Sequence, residues 1–378
     1  MRDDVLPDCF CFGQTVTLDT FLSQGLSRNA GLLFLSLTSM LPASKRLRTA
    51  ALVFCVAVLA AGCETPADDA PAEDTAAEDT AAPLGAEAKS ALAALPAEAR
   101  LLTAIDARAL RRSGLFDRDS TRATRNASDE TGAQRLKGFL EAAGFTPAED
   151  VRTVYFAAPK GDEPPQLVVA ADFERARLRK QLVGEPGSSR FDTTTHRGAT
   201  IYRPARGGEG RSHAFALTAD ELMLLSTSAG VRRMLDRREA GANSAGDSDR
   251  LMRLADRMRG RASTWFVTRG VPRGMPGGPS GQDANAQRFQ RVQQVVRNTA
   301  GAVSVSDRVA EGEVFLYTRD GAAPADLREV LEGLASAAGR SSDRRSSRKR
   351  QVLESLDIKE AGDHAVRVGF ALPLGGAQ

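Results

Sequence analysis

The stretch LESLDIKEAGDHAVRVGFALP, residues 353–373, decides the fold class. In its second part, apolar residues alternate with Arg367 and Gly369. The alternating apolar residues are Val366, Val368, Phe370 and Leu372. Successive side chains of a β-strand point to opposite faces, so this spacing predicts a strand with one buried face. The stretch therefore predicts a hairpin in an antiparallel sheet.

A similar order of elements precedes this hairpin. A predicted helix, SDRLMRLADRM, is followed by the strand STWFVTR at 263–269 and by a helix with apolar residues at Phe289, Val292 and Val296. Two strands follow, GAVSVSD and GEVFLYTRD, and a helix begins near Asp320. We assign this unit to residues 248–378.

An earlier part of the chain repeats the same order. It contains the helix AEAKSALAAL, the strand RLLTAID at 100–106, a helix with an apolar stripe at 136–143, and the strands RTVYFAA and QLVVAADF. A helix after Asp172 and the hairpin FDTTTHRGATIYRP at 191–204 complete it. A further hairpin and a helix at 228–239 form a predicted insertion, so this unit covers 86–247.

Both units follow the order α-β-α-β-β-α-β-β. Neighbouring strands with short connections favour antiparallel pairing, so we predict an α+β fold with helices packed on one face of the sheet. The segment GFTPAEDV, the acidic residue between strand and helix, and the closing SLDIKEAGDHAVRVGFALP are similar to a family of duplicated bacterial envelope lipoproteins. The resemblance implies this fold and a membrane anchor, and it implies no active site.

The region before the body predicts export. Ala50 to Ala61 is uncharged and too short to cross a bilayer, which needs about 20 apolar residues. The basic residues Lys45, Arg46 and Arg48 precede it, as in a signal peptide. The segment LAAGC, residues 59–63, follows it.

These residues resemble the lipobox of bacterial lipoprotein precursors. The resemblance implies cleavage between Gly62 and Cys63, a diacylglyceryl group on the Cys63 sulfur, and further acylation of its amine with a fatty acid such as palmitate. Residues 40–62 would then be the signal peptide. An ordinary signal peptide and a buried apolar helix are the alternatives. Residues 1–39 precede this signal and are interpreted as a start-site error, or else as a long n-region.

Residues 63–85 contain the acylated Cys63 and an acidic segment in which AEDTA occurs twice. Low hydrophobicity and like charges predict a disordered tether. Glu64 follows the cysteine, which favours the outer membrane facing the periplasm. The four cysteines all lie at or before position 63, so the mature body has none and forms no disulfide.

The sequence contains no recognisable catalytic, metal-binding or nucleotide-binding motif. The histidines His196, His213 and His364 have no metal-binding spacing, and we predict no metal and no cofactor. No nucleophile elbow, phosphate-binding loop or dinucleotide fingerprint occurs. We therefore favour a non-enzymatic envelope protein that binds or scaffolds. The alternative is an envelope hydrolase with carboxylates from separate loops.

The mature body is basic, and one stretch concentrates that charge. Residues 339–351, GRSSDRRSSRKRQ, contain six cations: Arg340, Arg344, Arg345, Arg348, Lys349 and Arg350. Export and the lack of interleaved aromatic residues argue against nucleic acid. Anionic envelope lipids or polymers are the functional hypothesis, and a solvated loop is the alternative. Neither hypothesis names a protein partner.

Overall fold

A computed structural model describes residues 85–113, 145, 147–161, 163–183, 191–204, 213–259, 262–271, 284–306, 308–319, 322–341 and 352–373. The helices of this part are α1 (Ala86–Ala94), α2 (Ala107–Arg112), α3 (Pro147–Asp150), α4 (Arg175–Val183), α5 (Ser228–Ala240), α6 (Asp249–Arg259), α7 (Ala284–Val295) and α8 (Pro324–Ser341). The strands are β1 (Leu101–Asp106), β2 (Val151–Ala158), β3 (Gln166–Ala171), β4 (Phe191–His196), β5 (Ala199–Pro204), β6 (His213–Leu217), β7 (Leu222–Thr227), β8 (Thr264–Arg269), β9 (Val296–Val305), β10 (Val309–Thr318), β11 (Asp357–Glu360) and β12 (Ala365–Pro373).

These strands form one 12-stranded sheet in the order β11-β12-β10-β9-β8-β1-β2-β3-β7-β6-β5-β4. Neighbouring strands pair antiparallel throughout, as in the β1–β8 pair, where Leu102 lies opposite Val267. The predicted α+β class with an antiparallel sheet is therefore confirmed.

The β1–β8 pair divides the sheet into a first half, β1 to β7, and a second half, β8 to β12. Outward from this pair, the second half runs β8, β9, β10, β12, β11. The first half runs β1, β2, β3, β7, β6, β5, β4, so the hairpin β6–β7 stands between β3 and β5. Without that hairpin the two orders correspond. Duplication, and a unit boundary between 247 and 248, stay predictions.

Helices cover both faces of the sheet, which corrects the prediction that they pack on one face. Helices α1, α5 and α6 share one buried cluster with residues such as Leu102, Val168 and Leu224. Helices α2, α4, α7 and α8 contribute to clusters on the opposite face, around residues such as Leu225 and Leu316. The prediction assumed that every strand alternates apolar and polar residues as β12 does, whereas central strands such as β8 are apolar at consecutive positions.

The central strands show why both faces need cover. In β8, the consecutive residues Trp265, Phe266 and Val267 are only 5%, 1% and 1% exposed. Consecutive side chains lie on opposite faces, so this strand buries apolar area in both directions. Burial of one such side chain stabilises the fold by about 1.5–3 kcal/mol. Water must therefore be excluded from both faces of the sheet, and helices lie on both.

Some local predictions also need correction. Helix α2 follows β1 directly and was not predicted; the Asp106 side chain caps it by accepting a hydrogen bond from the Ala109 N–H, at 2.8 Å. Val296 begins β9 rather than continuing α7. The helix predicted at 136–143 lies outside the described residues.

Candidate functional site

A cleft of about 270 Å³ lies at one end of the first half of the sheet. Three connections meet there: the segment after α1, the β2–β3 loop and the segment after α5. Two cations, Arg237 and Lys160, line it, and so do two carboxylates, Glu98 and Glu163. We call this feature the Arg237 cleft.

The walls of the Arg237 cleft are held by backbone contacts. Pro96 follows the last turn of α1, and forms an isolated bridge with Ser244. The neighbouring Ala97 N–H donates to the Asn243 carbonyl at 3.2 Å. Helix α5 ends at Gly241 in the left-handed conformation, which glycine adopts without steric cost. The segments that follow α1 and α5 are therefore joined to each other.

Arg237 occupies the last turn of α5 and contacts two other elements. Its Nη1 donates to the Ala94 carbonyl of α1 at 2.7 Å and to Gln166 Oε1 of β3 at 2.8 Å. The Gln166 side chain is fully buried, and its Nε2 has no hydrogen-bond partner among the described residues. Arg237 therefore connects the helix of the predicted insertion to α1 and β3.

Arg237 has no close ion pair among the described residues, although the charges of Glu163 and Asp236 act on it from further away. Its two hydrogen bonds there go to neutral oxygens, with no carboxylate at ion-pair distance. Burial lowers the pKa of Arg237, because desolvation penalises the charged guanidinium. A half-buried cation without a close ion pair gains from an anion that reaches it.

The other charges of the Arg237 cleft differ in their partners. Glu163 lies 3.6 Å from Arg233 Nη2. Lys160 and Glu98 are exposed and form no ion pair among the described residues. The cleft thus presents two cations and one carboxylate that are not bound to each other.

An ion-pair network lies at the opposite end of β2. Arg152 Nε lies 2.7 Å from Glu87 of α1, and its Nη1 lies 2.9 Å from Glu221 and also contacts Asp172. Burial opposes the charged form of Arg152, but hydrogen bonds to these three carboxylates outweigh it and raise the pKa. Each of the three carboxylates contacts Arg152, and Asp172 also accepts a hydrogen bond from Arg108, so the network joins elements of the fold rather than presenting an open charge to a ligand.

His196 makes a polar contact with a carboxylate. Its Nε2 lies 2.8 Å from Asp236 Oδ1 of α5, and Asp236 also accepts a hydrogen bond from Arg197. No hydroxyl or thiol contacts His196 among the described residues, so the pair lacks a nucleophile. The part of the chain that the structure describes also contains no group of three or more metal-ligating side chains.

The structure brings none of the predicted site residues together. Gly62 and Cys63 lie outside the described residues, as do Arg344, Arg345, Arg348, Lys349 and Arg350. Arg340 belongs to the last turn of α8.

Sequence reasoning missed Arg237 and Gln166. Arg237 stands in the segment RRMLDRRE among three other arginines, which offers no signal to single it out. Gln166 follows two prolines at the start of an apolar strand, and a polar residue at such a boundary is a weak signal. Their contact spans 71 positions, so no local pattern reports it.

No protein-family model and no curated protein matches the chain. The chain is similar to solved structures of TP0453 in crystal forms III, I and IV, with a TM-score of 0.43 in each case. Sequence identity is 10%, 9% and 10%, over 75% of this chain and 94%, 92% and 92% of TP0453. None of the described helices combines the length and apolar character needed to span a bilayer.

Proposed function

We propose that this protein is anchored to the cell envelope by lipid on Cys63 and that its body binds a ligand without chemical conversion. The anchor is supported by the order of features in the sequence: basic residues, the apolar run 50–61, LAAGC and the acidic tether. One acyl chain binds a membrane weakly and reversibly, whereas two or three chains make attachment stable.

The point at which the folded body begins is consistent with a tether over residues 63–85. Helix α1 begins at Ala86, and Leu92 and Leu95 within and beside it are fully buried in the core. The predicted tether therefore ends where α1, the first of the described helices, begins. A disordered tether of about 22 residues, as the sequence predicts, would have a root-mean-square span of about 25 Å and an extended length of about 70 Å. The body can stand clear of the lipid headgroups.

One observation favours binding over catalysis. Arg237 is positioned by two hydrogen bonds at one edge, and its remaining N–H groups have no partner among the described residues that form the cleft. A fixed cation with open donors binds an anion, whereas hydrolysis requires a nucleophile or a base placed against the reacting atom. We therefore propose the Arg237 cleft as the binding site.

The anchor is tested by replacing its acceptor. Cells that produce Cys63→Ser and are fed a radiolabelled fatty acid should show no label on the protein and an unprocessed or soluble form. Cys55→Ser is the matched control, because Cys55 lies inside the apolar run and should leave labelling intact. Label retained on Cys63→Ser would overturn the anchor. We further propose the outer membrane, which fractionation of the two membranes tests.

The basic stretch supports a second, weaker mode of attachment. We propose that the six cations from Arg340 to Arg350 contact anionic headgroups or envelope polymers, since Asp343 is the one acid within that stretch of sequence. Such attraction is screened within about 10 Å at 0.1 M salt.

The test of the basic stretch uses vesicles with anionic lipid and the chain carrying Cys63→Ser. Replacing Arg344, Arg345, Arg348, Lys349 and Arg350 by Gln should abolish low-salt binding and leave thermal stability unchanged. The matched control replaces five exposed cations without described partners: Arg175, Arg179, Lys180, Arg232 and Arg253. If the variant of the basic stretch and the control variant bound the vesicles equally, net charge would explain the binding, and a specific role for the stretch would be overturned.

A further inference from the structure

The charges of the Arg237 cleft carry an inference about the ligand class, which rests on the proposed binding function. Arg237 and Lys160 are cationic, whereas Glu98 is anionic, and none of the three has an ion-pair partner among the described residues. A purely anionic ligand would leave Glu98 unmatched, and a purely cationic ligand would leave Arg237 and Lys160 unmatched. A ligand that carries both charges matches all three.

The shape of the Arg237 cleft limits the size of the ligand. Its volume of about 270 Å³ lies just below the range of about 300–1,000 Å³ for sites that enclose a drug-sized molecule. Pro96 and Pro159 line the wall with little conformational freedom. A ligand of one or two amino-acid residues is commensurate with this space.

The donors of Arg237 favour a carboxylate as the anionic group. A planar guanidinium binds a planar carboxylate through two parallel hydrogen bonds. Nη1 is already used by Ala94 and Gln166, which hold the side chain in place before a ligand arrives. The other N–H groups have no described partner and remain for the ligand.

We propose that the Arg237 cleft binds a small zwitterion of the amino-acid or short-peptide class, with its carboxylate on Arg237, assisted by Lys160, and its ammonium group near Glu98. The site forms where helix α5 meets the α1–β1 and β2–β3 connections. It requires no movement of the sheet.

The experiment measures binding to the purified full chain in non-ionic detergent by isothermal titration calorimetry. The probes are alanyl-alanine, its N-acetyl derivative, its C-terminal amide and inorganic phosphate. Alanyl-alanine should bind, and loss of either terminal charge should weaken binding by about tenfold or more, since charge-assisted hydrogen bonds are the strong ones.

Variants assign the two charges to their residues. Arg237→Gln and Lys160→Gln should weaken binding of alanyl-alanine, and Glu98→Gln should abolish the preference for the free amine over the acetylated probe. Lys160 and Glu98 are exposed, so these variants report on the site even if Arg237→Gln does not fold. Arg232→Gln, an exposed position on the same helix, is the matched control and should bind like the parent.

Three outcomes overturn the inference: no binding of alanyl-alanine by the parent, equal binding by all variants, or phosphate binding that is tighter than dipeptide binding and sensitive to Arg237→Gln. Fatty-acid labelling of Cys63 is independent of these measurements. A failure in the cleft is thereby distinguished from a failure of the proposed anchor.

Discussion

The two halves of the sheet differ in the neighbour of their third strand. In the second half, β10 pairs directly with β12, and β11 lies at the edge. In the first half, β3 pairs with β7, and the hairpin β6–β7 separates β3 from β5. Two added strands leave the alternation of strand direction intact, so an antiparallel sheet accepts a hairpin where it would not accept one strand.

The hairpin β6–β7 leads directly into helix α5, and this helix supplies Arg237 to the cleft. The β2–β3 loop, residues 159–165, supplies Lys160 and Glu163 to the same cleft. At the corresponding place in the second half, β9 ends at Val305 and β10 begins at Val309, so the connection is shorter. The comparison teaches that the candidate site lies where the first half departs from the order of elements that the two halves share.

The second half packs aromatic rings against glycines. Gly301 of β9 lies opposite Phe266 of β8, and Gly312 of β10 lies opposite Phe370 of β12. A Cβ at either glycine would lie within 2.4 Å of the facing aromatic ring. The rings therefore occupy the space that a side chain would take.

The largest effect is expected where this packing is tightest. Gly301→Ala places its Cβ 2.4 Å from the Phe266 ring and 3.2 Å from the Glu313 carbonyl oxygen. Phe266 is 1% exposed, so its ring cannot turn towards solvent without disturbing the core. Overpacking of this kind should lower the free energy of unfolding by about 3 kcal/mol, measured by urea denaturation.

Gly312→Ala is the matched control for Gly301→Ala. Its Cβ meets the Phe370 ring at 2.2 Å, but Phe370 is only partly buried and can rotate towards solvent. The loss should be about 1 kcal/mol. Equal losses at the two glycines would show that burial of the ring does not decide the cost.

A smaller effect is expected at the junction between α5 and the elements α1 and β3. Arg237→Met removes the donor to the Ala94 carbonyl and to Gln166 Oε1, leaving two buried acceptors unpaired. The free energy of unfolding should fall by about 2 kcal/mol. Thermal unfolding followed by circular dichroism measures it.

The same comparison needs two controls. Arg232→Met on the exposed side of α5 should change stability by less than about 0.5 kcal/mol. The double variant Arg237→Met, Gln166→Leu should recover part of the loss, because both buried polar partners are then apolar. Full stability of Arg237→Met would mean that α5 docks without this contact.

The smallest effect concerns acid. Hydrogen bonds and nearby cations lower the pKa of four described carboxyls, and all four lie before residue 248: Asp172, Asp220, Asp236 and Asp247. For Asp220, burial raises the pKa, but hydrogen bonds from Ser90 and Thr218 and the charge of Arg238 lower it overall. Asp220 links the β6–β7 turn to α1 and α5.

A lowered pKa in the fold means that the unfolded chain binds protons first. The stabilisation by Asp220 is present above the unfolded pKa of about 3.9 and is lost as the pH falls through the folded value. Asp220→Asn should therefore flatten the decline of stability between pH 5 and pH 2 by less than about 1 kcal/mol, after solvent screening. If the stability of Asp220→Asn fell with pH in parallel with that of the parent, Asp220 would not contribute to the acid dependence.

The strand and helix positions could largely be predicted, because their apolar periodicity is local. The alternation at Val366 and Val368 and the strand at Leu101–Asp106 were expected from a few neighbouring residues, and the structure contains both. The number of covered faces was predicted wrongly, although Trp265, Phe266 and Val267 carried the signal. Three consecutive apolar residues require cover on both faces, whereas one alternating strand near an edge does not.

The sequence by itself determined most of the order of the described elements, with α2 as an exception, and the absence of cysteine from the body, and it predicts a lipid anchor at Cys63 and a basic stretch at 340–350. Each of these rests on residues that are near one another in the chain. Only the tertiary structure decided that both halves share one sheet and that the hairpin β6–β7 enters between β3 and β5. It alone placed Arg237 against Ala94 and Gln166, which are 143 and 71 positions away. Such contacts depend on how all the layers pack together, and a local pattern of hydrophobicity or charge does not encode them.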